Sequence, residues 1–365
     1  MREITITSLE EGQRLDRVLQ KYLSRATAGF LYKMLRKKNI TLNGKKAEGK
    51  EKLQAGDIIR LYFAEETLDK FTTSQDDTDW PRTQLDIVYE DKQILLINKD
   101  AGMLSQKAES SDVSLNEYAI GYLLESGAVS RESLASFRPS VCNRLDRNTS
   151  GIVAVGKTTA ALQELSLMFR ERTIHKYYQA LVIGRVEEEG TIDALLVKDE
   201  KKNQVRIYPA GGSPSPDVLG EASHTVAEGE GIFAQRSFAT EKTRNEIEKG
   251  QRIRTRYVPV AYRTDGQTQH ELTLLEIELI TGRSHQIRAH LASIGHPVVG
   301  DPKYGNRRRN EYFAREYGLH RQLLHAGRIA FSKEDGALGY LSGREFTAKL
   351  PDVFESIMKR EGVRS

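Results

Sequence analysis

The chain has 365 residues, 38% hydrophobic and 29% charged, with a formal net charge of +4. No apolar run approaches the roughly 18 residues of a membrane helix, the first thirteen residues lack the apolar block of a signal peptide, and a single cysteine excludes an internal disulfide and a cysteine-based metal cluster. The expectation is therefore a cytoplasmic protein away from membranes, monomeric, and at this length built from two domains. Charge is unevenly spread. Residues 1–64 hold 14 Lys/Arg against 7 Asp/Glu, whereas residues 65–83 hold 2 against 6. A basic head followed by an acidic strip fits a nucleic-acid-binding module and a linker, and charge alone fits a solubilising surface about as well.

In the head, Leu15, Val18, Leu19, Tyr22 and Leu23 recur at helical spacing. A second helix is predicted over Thr27–Lys38, burying Phe30, Leu31, Met34 and Leu35 and ending in Arg36-Lys37-Lys38, where positive charge suits a helix C-terminus. A short strand over Ile40–Leu42 then runs into an Asn43-Gly44 turn, and Gly56-Asp57 precedes a strand over Ile58–Leu61. Two basic helices followed by a small hairpin over residues 12–63 resemble the S4 RNA-binding domain. That resemblance implies a small α/β module facing structured RNA, with Arg14, Arg25, Lys33, Arg36, Lys37 and Lys38 on phosphates.

Residues 65–83 carry too little apolar content for a core and read as a flexible acidic linker, with order resuming near Trp80-Pro81. The remainder, 84–365, reads as one further domain. Strands are predicted over Leu85–Tyr89 and Ile94–Asn98, helices over 114–124 and 159–171, and a strand over Thr173–Gly184 with alternating aromatic and apolar residues. From about 198 to 252 the pattern weakens, and 211–248 reads as an insertion away from the chemistry. Strands return at Thr255–Tyr262 and Glu271–Leu279, followed by a tight turn at Thr281-Gly282 into a helix containing Ile287 and Leu291. Strands and helices mix without regular β-α-β alternation, so the fold class is α+β.

Two stretches concentrate chemistry. Cys142-Asn143-Arg144-Leu145-Asp146-Arg147-Asn148-Thr149-Ser150-Gly151 is a loop entering the apolar run Ile152–Val155, with one carboxylate between two arginines that favour its charged form. Alone, an ordinary surface ion pair is its better reading. Residues 281–328 hold 9 Lys/Arg against 3 Asp/Glu and five of the eight histidines. His285, His290 and His296 lack the i, i+4 spacing of a zinc helix, Ser150 lacks a Gly-x-Ser-x-Gly elbow, and no Gly-rich phosphate loop occurs. Cys142 reads as a small buried hydrophobe.

Arg144-Leu145-Asp146-Arg147-x-Thr149-Ser150-Gly151, Lys176-x-Tyr178-x-Ala180 and Thr281-Gly282-Arg283-Ser284-His285-Gln286-Ile287-Arg288 occur in that order. Together with Ile97-Asn98-Lys99-x-Ala101-Gly102, Gly300-Asp301-x-x-Tyr304-Gly305 and Leu324-His325-Ala326, they resemble the signatures of RluA-type pseudouridine synthases over roughly 84–332. The resemblance implies a mainly antiparallel mixed sheet with the active site in a central cleft, acting on RNA, most plausibly ribosomal, without a cofactor or metal. It implies Asp146 as nucleophile on the ribose anomeric carbon or the uracil ring, and Arg288 as its ion-pair partner. Tyr178 would pack on the base and assist proton removal. Arg144 would fill the gap left by a flipped uridine or contact phosphate, and Arg283 and His285 would contact RNA. Two positions depart from the family pattern: Asn143 stands where a histidine is usual, and Asp100 where a proline is. Two rivals remain at this point: a non-catalytic RNA-binding or ribosome-assembly factor on the same fold, and a glycoside hydrolase. The hydrolase would pair two carboxylates, and no second one stands out.

Overall fold

The computed structural model describes residues 1–71, 79–199, 204–209, 250–263, 271–332 and 335–364. Its N-terminal unit begins with β1 (Arg2–Thr5), then α1 (Leu15–Tyr22) and α2 (Ala28–Arg36). Strands β2 (Ile40–Leu42), β3 (Lys45–Lys46) and β4 (Ile58–Leu61) follow and form an antiparallel sheet in the order β1-β4-β2-β3. The Thr27 hydroxyl caps α2 by accepting from the Phe30 N–H at 3.3 Å. Asn43 and Gly44 both take positive φ, 50° and 73°, which is the geometry a two-residue hairpin requires. Leu15, Val18 and Leu19 of α1 and Leu31, Met34 and Leu35 of α2 bury against Ile40, Ile59 and Leu61.

The acidic strip departs from expectation over its first seven residues. These form α3 (Glu65–Phe71), whose Leu68 is fully buried in the N-terminal core. Phe71 packs its ring 4.5 Å from that of Phe30, and the Phe71 carbonyl accepts from the Arg25 N–H. Composition averaged over the strip hid two apolar residues spaced i, i+3, enough to seat one helical face. Glu65 and Glu66 occupy the first turn, where the helix dipole favours negative charge.

The second unit opens with the hairpin β5 (Asp86–Glu90) and β6 (Ile94–Lys99), then α4 (Leu115–Glu125), β7 (Ser140–Val141) and β8 (Ser150–Gly156). Helix α5 (Thr159–Glu171) leads to β9 (Ile174–Ile183), and β10 (Gly190–Asp199) pairs with β11 (Gln204–Pro209). After them come β12 (Gln251–Arg263), β13 (Leu272–Leu279), α6 (Gln286–Ser293), α7 (Arg307–Tyr317), β14 (Leu324–Phe331), β15 (Glu345–Thr347), α8 (Asp352–Arg360) and β16 (Val363–Arg364). The strands join one sheet in the order β11-β10-β12-β13-β9-β14-β8-β6-β5, with β15, β16 and β7 added at β14, β12 and β8. Neighbours are antiparallel except β14 and β8, giving a mostly antiparallel α+β fold.

Strand β8 is buried along its whole length, which explains its continuous apolar run. Val153 and Val155 enter a core with Leu115, Ala119 and Leu123 of α4, while Ile152 and Ala154 enter another with Ala161, Leu165 and Met168 of α5. The stretch beyond residue 198, read as weakly patterned, contains β11, whose alternating Val205 and Ile207 bury against Ala289 and Tyr304. Two apolar residues in six carry too little periodicity to announce a strand. The insertion read over 211–248 lies outside the described residues.

The two units touch through the turn after β1. The Leu9 carbonyl accepts from the Thr159 N–H and hydroxyl, and the buried Glu10 carboxylate accepts from the Ser136 hydroxyl at 2.6 Å. Among the described residues, no helix is long and apolar enough to cross a membrane.

The packing of α3 makes a direct expectation. Leu68→Ala should destabilise the N-terminal unit by about 2–4 kcal/mol, whereas Glu66→Ala, on the exposed side, should stay within about 0.5 kcal/mol. Urea unfolding of both variants checks this, and equally small effects would return α3 to the linker.

Candidate active site

The loop between β7 and β8 carries Asp146, and almost every residue around that carboxylate is tied down. At its end, Gly151 takes φ +118°, and a Cβ there would lie 2.3 Å from the Ala326 carbonyl oxygen, so only glycine lets β8 and β14 approach this closely. The Ser150 hydroxyl hydrogen-bonds His325 Nδ1 at 2.9 Å, and burial pulls the His325 pKa down to about 4, so the ring is neutral. Ser105 Oγ accepts from the Leu145 N–H at 3.0 Å and donates to the Leu145 carbonyl at 3.1 Å. Thr149 donates its N–H to the Asp146 carbonyl, and its hydroxyl accepts from Gln322 Nε2.

Asn143 behaves as a piece of backbone. Its Nδ2 donates to the Ile152 carbonyl at 3.1 Å and its Oδ1 accepts from the Ala154 N–H at 2.8 Å. The side chain that departs from the family pattern is thus occupied in holding the loop to β8. Cys142 is inert packing: burial pushes its thiol up to about 12.

Beneath the loop lies Lys99, the last residue of β6 and 1% exposed. Its ammonium donates to the carbonyls of Asp100 at 2.8 Å, Met103 at 2.9 Å and Arg147 at 3.2 Å. One cation therefore clamps the 100–103 turn to the Asp146 loop. Burial lowers its pKa to about 7, while the charges of Asp100 and Asp146 work the other way.

Asp146 itself, with its side chain 26% exposed, accepts from Arg288 Nη1 at 2.9 Å. Arg288 is only 5% exposed and turns its other edge to the fully buried Asp301, donating from Nε at 2.6 Å and from Nη2 at 2.8 Å. Burial alone would lower the Arg288 pKa, but the hydrogen bonds and charge of Asp301, then those of Asp146, raise it above its ordinary value. Asp301 Oδ1 also accepts from the N–H groups of Lys303 and Tyr304, which fixes the carboxylate from the backbone side. The Arg288 guanidinium lies 5.3 Å from the centre of the Tyr304 ring, whose hydroxyl bonds His285 Nδ1 and accepts from the Val205 N–H.

Tyr178 is buried on β9, and among the described residues its hydroxyl has no hydrogen-bond partner. Burial, then the Asp146 charge, raises its pKa well above the ordinary phenol value, so the hydroxyl keeps its proton at neutral pH. Arg144 and Arg283 are exposed and form no ion pair among the described residues. His285, expected on RNA, is half-buried and hydrogen-bonds the Tyr304 hydroxyl through Nδ1, and burial lowers its pKa. His285, His290 and His296 engage Tyr304, Thr255 and the Ile183 carbonyl respectively. Among the described residues, no three His, Cys, Asp or Glu side chains converge as metal ligands would. In the N-terminal unit, Arg25, Lys33, Arg36, Lys37 and Lys38 are exposed and form no ion pair among the described residues. Arg14 is not: its fork grips Asp16 at 3.1 and 2.6 Å, which removes it from the free cations.

Residues 93–293 match the RNA pseudouridylate synthase family, and over most of its length the chain aligns with curated members. The chain belongs to this family, as an isomerase of the RluA type. It is 31% identical over 334 residues to ribosomal large subunit pseudouridine synthase C of Vibrio cholerae, covering 88% of this chain and 85% of that one. It is 26% identical over 373 residues to ribosomal large subunit pseudouridine synthase D of Zymomonas mobilis, covering 98% of this chain and 96% of that one. The solved structure of human RNA pseudouridylate synthase domain containing 4 shares the fold, with a TM-score of 0.54 at 20% identity over 77% of this chain and 94% of that one.

Lys99, Ser105, Asp301, Tyr304 and His325 hold this arrangement, and the sequence reading assigned none of them a role. Four of them lay inside recognised patterns, Asn98-Lys99, Gly300-Asp301-x-x-Tyr304 and Leu324-His325, which was the available signal. Ser105 had none.

Lys99→Met would leave three buried carbonyls without their donor and should cost about 2–4 kcal/mol. Because burial depresses the folded-state pKa, the unfolded chain binds the extra proton between pH about 7 and 10.5. Over that window, wild-type stability relative to Lys99→Met should therefore rise with pH, being lowest below 7. Paired denaturation curves across pH test this; a falling difference would mean that the carbonyls outweigh burial.

Proposed function

We propose that the protein converts uridine to pseudouridine in structured large-subunit ribosomal RNA, with Asp146 as the nucleophile. The observation that carries this reading is the ion pair of Asp146 with Arg288 beside the unpartnered hydroxyl of Tyr178. The ribosomal substrate is supported by the names of the curated relatives from Vibrio cholerae and Zymomonas mobilis.

The reaction breaks the N1–C1′ bond and forms C5–C1′; C5 loses a proton and N1 gains one, with no net redox change. Asp146 attacks the ribose anomeric carbon or the uracil ring, which splits one difficult exchange into two easier steps. Arg288 holds the carboxylate aimed until that attack through its charge-assisted hydrogen bond. The step consumes the negative charge of Asp146, and with it one of the two causes that keep Tyr178 protonated. Tyr178, packed on the base, then gives its hydroxyl proton more readily to the detached ring, which gains one at N1, and the resulting phenolate takes the proton that C5 loses. Arg144, exposed and free, takes up the space or phosphate beside the flipped uridine. The N-terminal unit, read as S4-like, supplies Arg25, Lys33, Arg36, Lys37 and Lys38 as an electrostatic grip on folded RNA.

Asp146→Ala should abolish pseudouridine formation on ribosomal RNA transcripts while changing RNA affinity less than about threefold. Asp301→Asn, which leaves Arg288 with one charged partner, should lower kcat by roughly 10²-fold through misplacement of that guanidinium. Mapping of pseudouridine with a base-specific chemistry reads both; a wild-type protein that forms none would overturn the assignment. Removal of residues 1–71 should weaken binding and flatten its dependence on salt by several phosphate contacts, measured by titration from low to high ionic strength. An unchanged slope would take the head out of RNA recognition.

A further inference from the structure

Lys176 stands two residues before Tyr178 on β9, so both side chains leave the strand on the same face, about 6.6 Å apart along it. Its ammonium reaches the turn that delivers Arg283 and His285, since a Cβ on Gly282 would lie 3.4 Å from Lys176 Nζ. Lys176 is half-buried and, among the described residues, donates to no acceptor and meets no carboxylate. The alternation of the strands explains why. Glu276 and Glu278 on β13 lie opposite Gln179 and Tyr177, so they leave the other face, where they meet Arg328 and His175.

Two arginines belong to the segments that this ammonium meets. Arg172, which ends α5 in the left-handed conformation at φ 66°, adds its charge to the field at Lys176, and Arg283 follows Gly282 directly. Both are exposed and without an ion pair among the described residues. A half-buried charge lacking a counter-ion is unfavourable in the free protein. One half-buried ammonium, with exposed guanidinium groups on the two segments around it and next to a site built for a nucleotide, is what a phosphodiester would neutralise.

We propose that Lys176, with Arg172 and Arg283, binds one backbone phosphate flanking the target uridine. The inference rests on the functional reading above and adds to it. During the isomerisation the uracil must detach and turn while the ribose stays in place. A phosphate held on the face that carries Tyr178 anchors the ribose through that turn, so Lys176 contributes to the rate as well as to affinity.

The test compares the full-length protein with Lys176→Met, which keeps the packing of the side-chain stem but removes its charge, and with Lys176→Arg. Arg172→Gln, at an exposed position, serves as a second variant that cannot disturb the core. Binding of a target-containing transcript is titrated across salt, and pseudouridine formation is measured in parallel. Lys176→Met should flatten the salt slope by about one phosphate contact and weaken binding roughly fivefold or more. Lys176→Arg should restore most of both, and Arg172→Gln should show a smaller change in the same direction. A methylphosphonate placed at either phosphate beside the target should weaken wild-type binding at one of the two positions and leave Lys176→Met unaffected there. Equal salt slopes for wild type and Lys176→Met, or additive effects of methylphosphonate and mutation at both positions, would overturn the phosphate site. Absence of pseudouridine from the wild-type reaction would overturn the functional reading instead, so the two failures are distinguishable.

Discussion

Arg288 carries one positive charge between two carboxylates that use it differently. Asp301 is wholly buried and grips the guanidinium through two hydrogen bonds, so it fixes the plane in which the remaining Nη1–H points. Asp146 receives that last donor at the edge of solvent. A lysine could not serve both, because only a planar fork presents two edges in fixed relation. Loss of Arg288 would leave the buried Asp301 carboxylate uncompensated, which is among the costliest local changes a fold can suffer. Tyr304 closes the assembly, lying against the guanidinium and passing a hydrogen bond to His285, while β11 bonds the same hydroxyl from behind.

Against this rigid cationic wall stands a loop that would be loose if judged by its own residues. Its order comes from outside: Ser105 and Lys99 from the strand β6 side, His325 and Gln322 from β14 and the turn before it. Asn143 completes the frame by standing in for a backbone group along β8. The position usually held by histidine in the family is here satisfied by a side chain that cannot titrate, and its bonds are structural. Pre-organisation of this kind holds a site carboxylate near one geometry before a ligand arrives.

Much of the architecture was legible in local pattern. Helix α5 was predicted to the residue, because Thr158 caps it and its apolar residues keep helical spacing. Strand β8 was visible as an unbroken apolar run, since it is covered on both faces. In the head the two helices and the hairpin were legible; β1 was not predicted, and six carboxylates across the strip masked Leu68 and Phe71 of α3. β11 was missed for the converse reason, since its burial depends on Ala289 and Tyr304 brought from elsewhere.

The sequence by itself determined the residue types of the chemistry, their order along the chain and the α+β class, because hydrophobic period and turn residues act over a few positions. It also named Arg288 as the partner of Asp146, through a family likeness spanning 142 positions of separation. Only the tertiary structure decided which charges are shared and which are free. It placed Asp301 on the far edge of Arg288, withdrew Arg14 into a pair with Asp16 and turned His285 onto Tyr304. Among the described residues, it also left Lys176 without a counter-charge on the face of Tyr178. Such outcomes depend on distances between segments far apart in the chain, and on burial that changes what each charge needs, neither of which a linear pattern encodes.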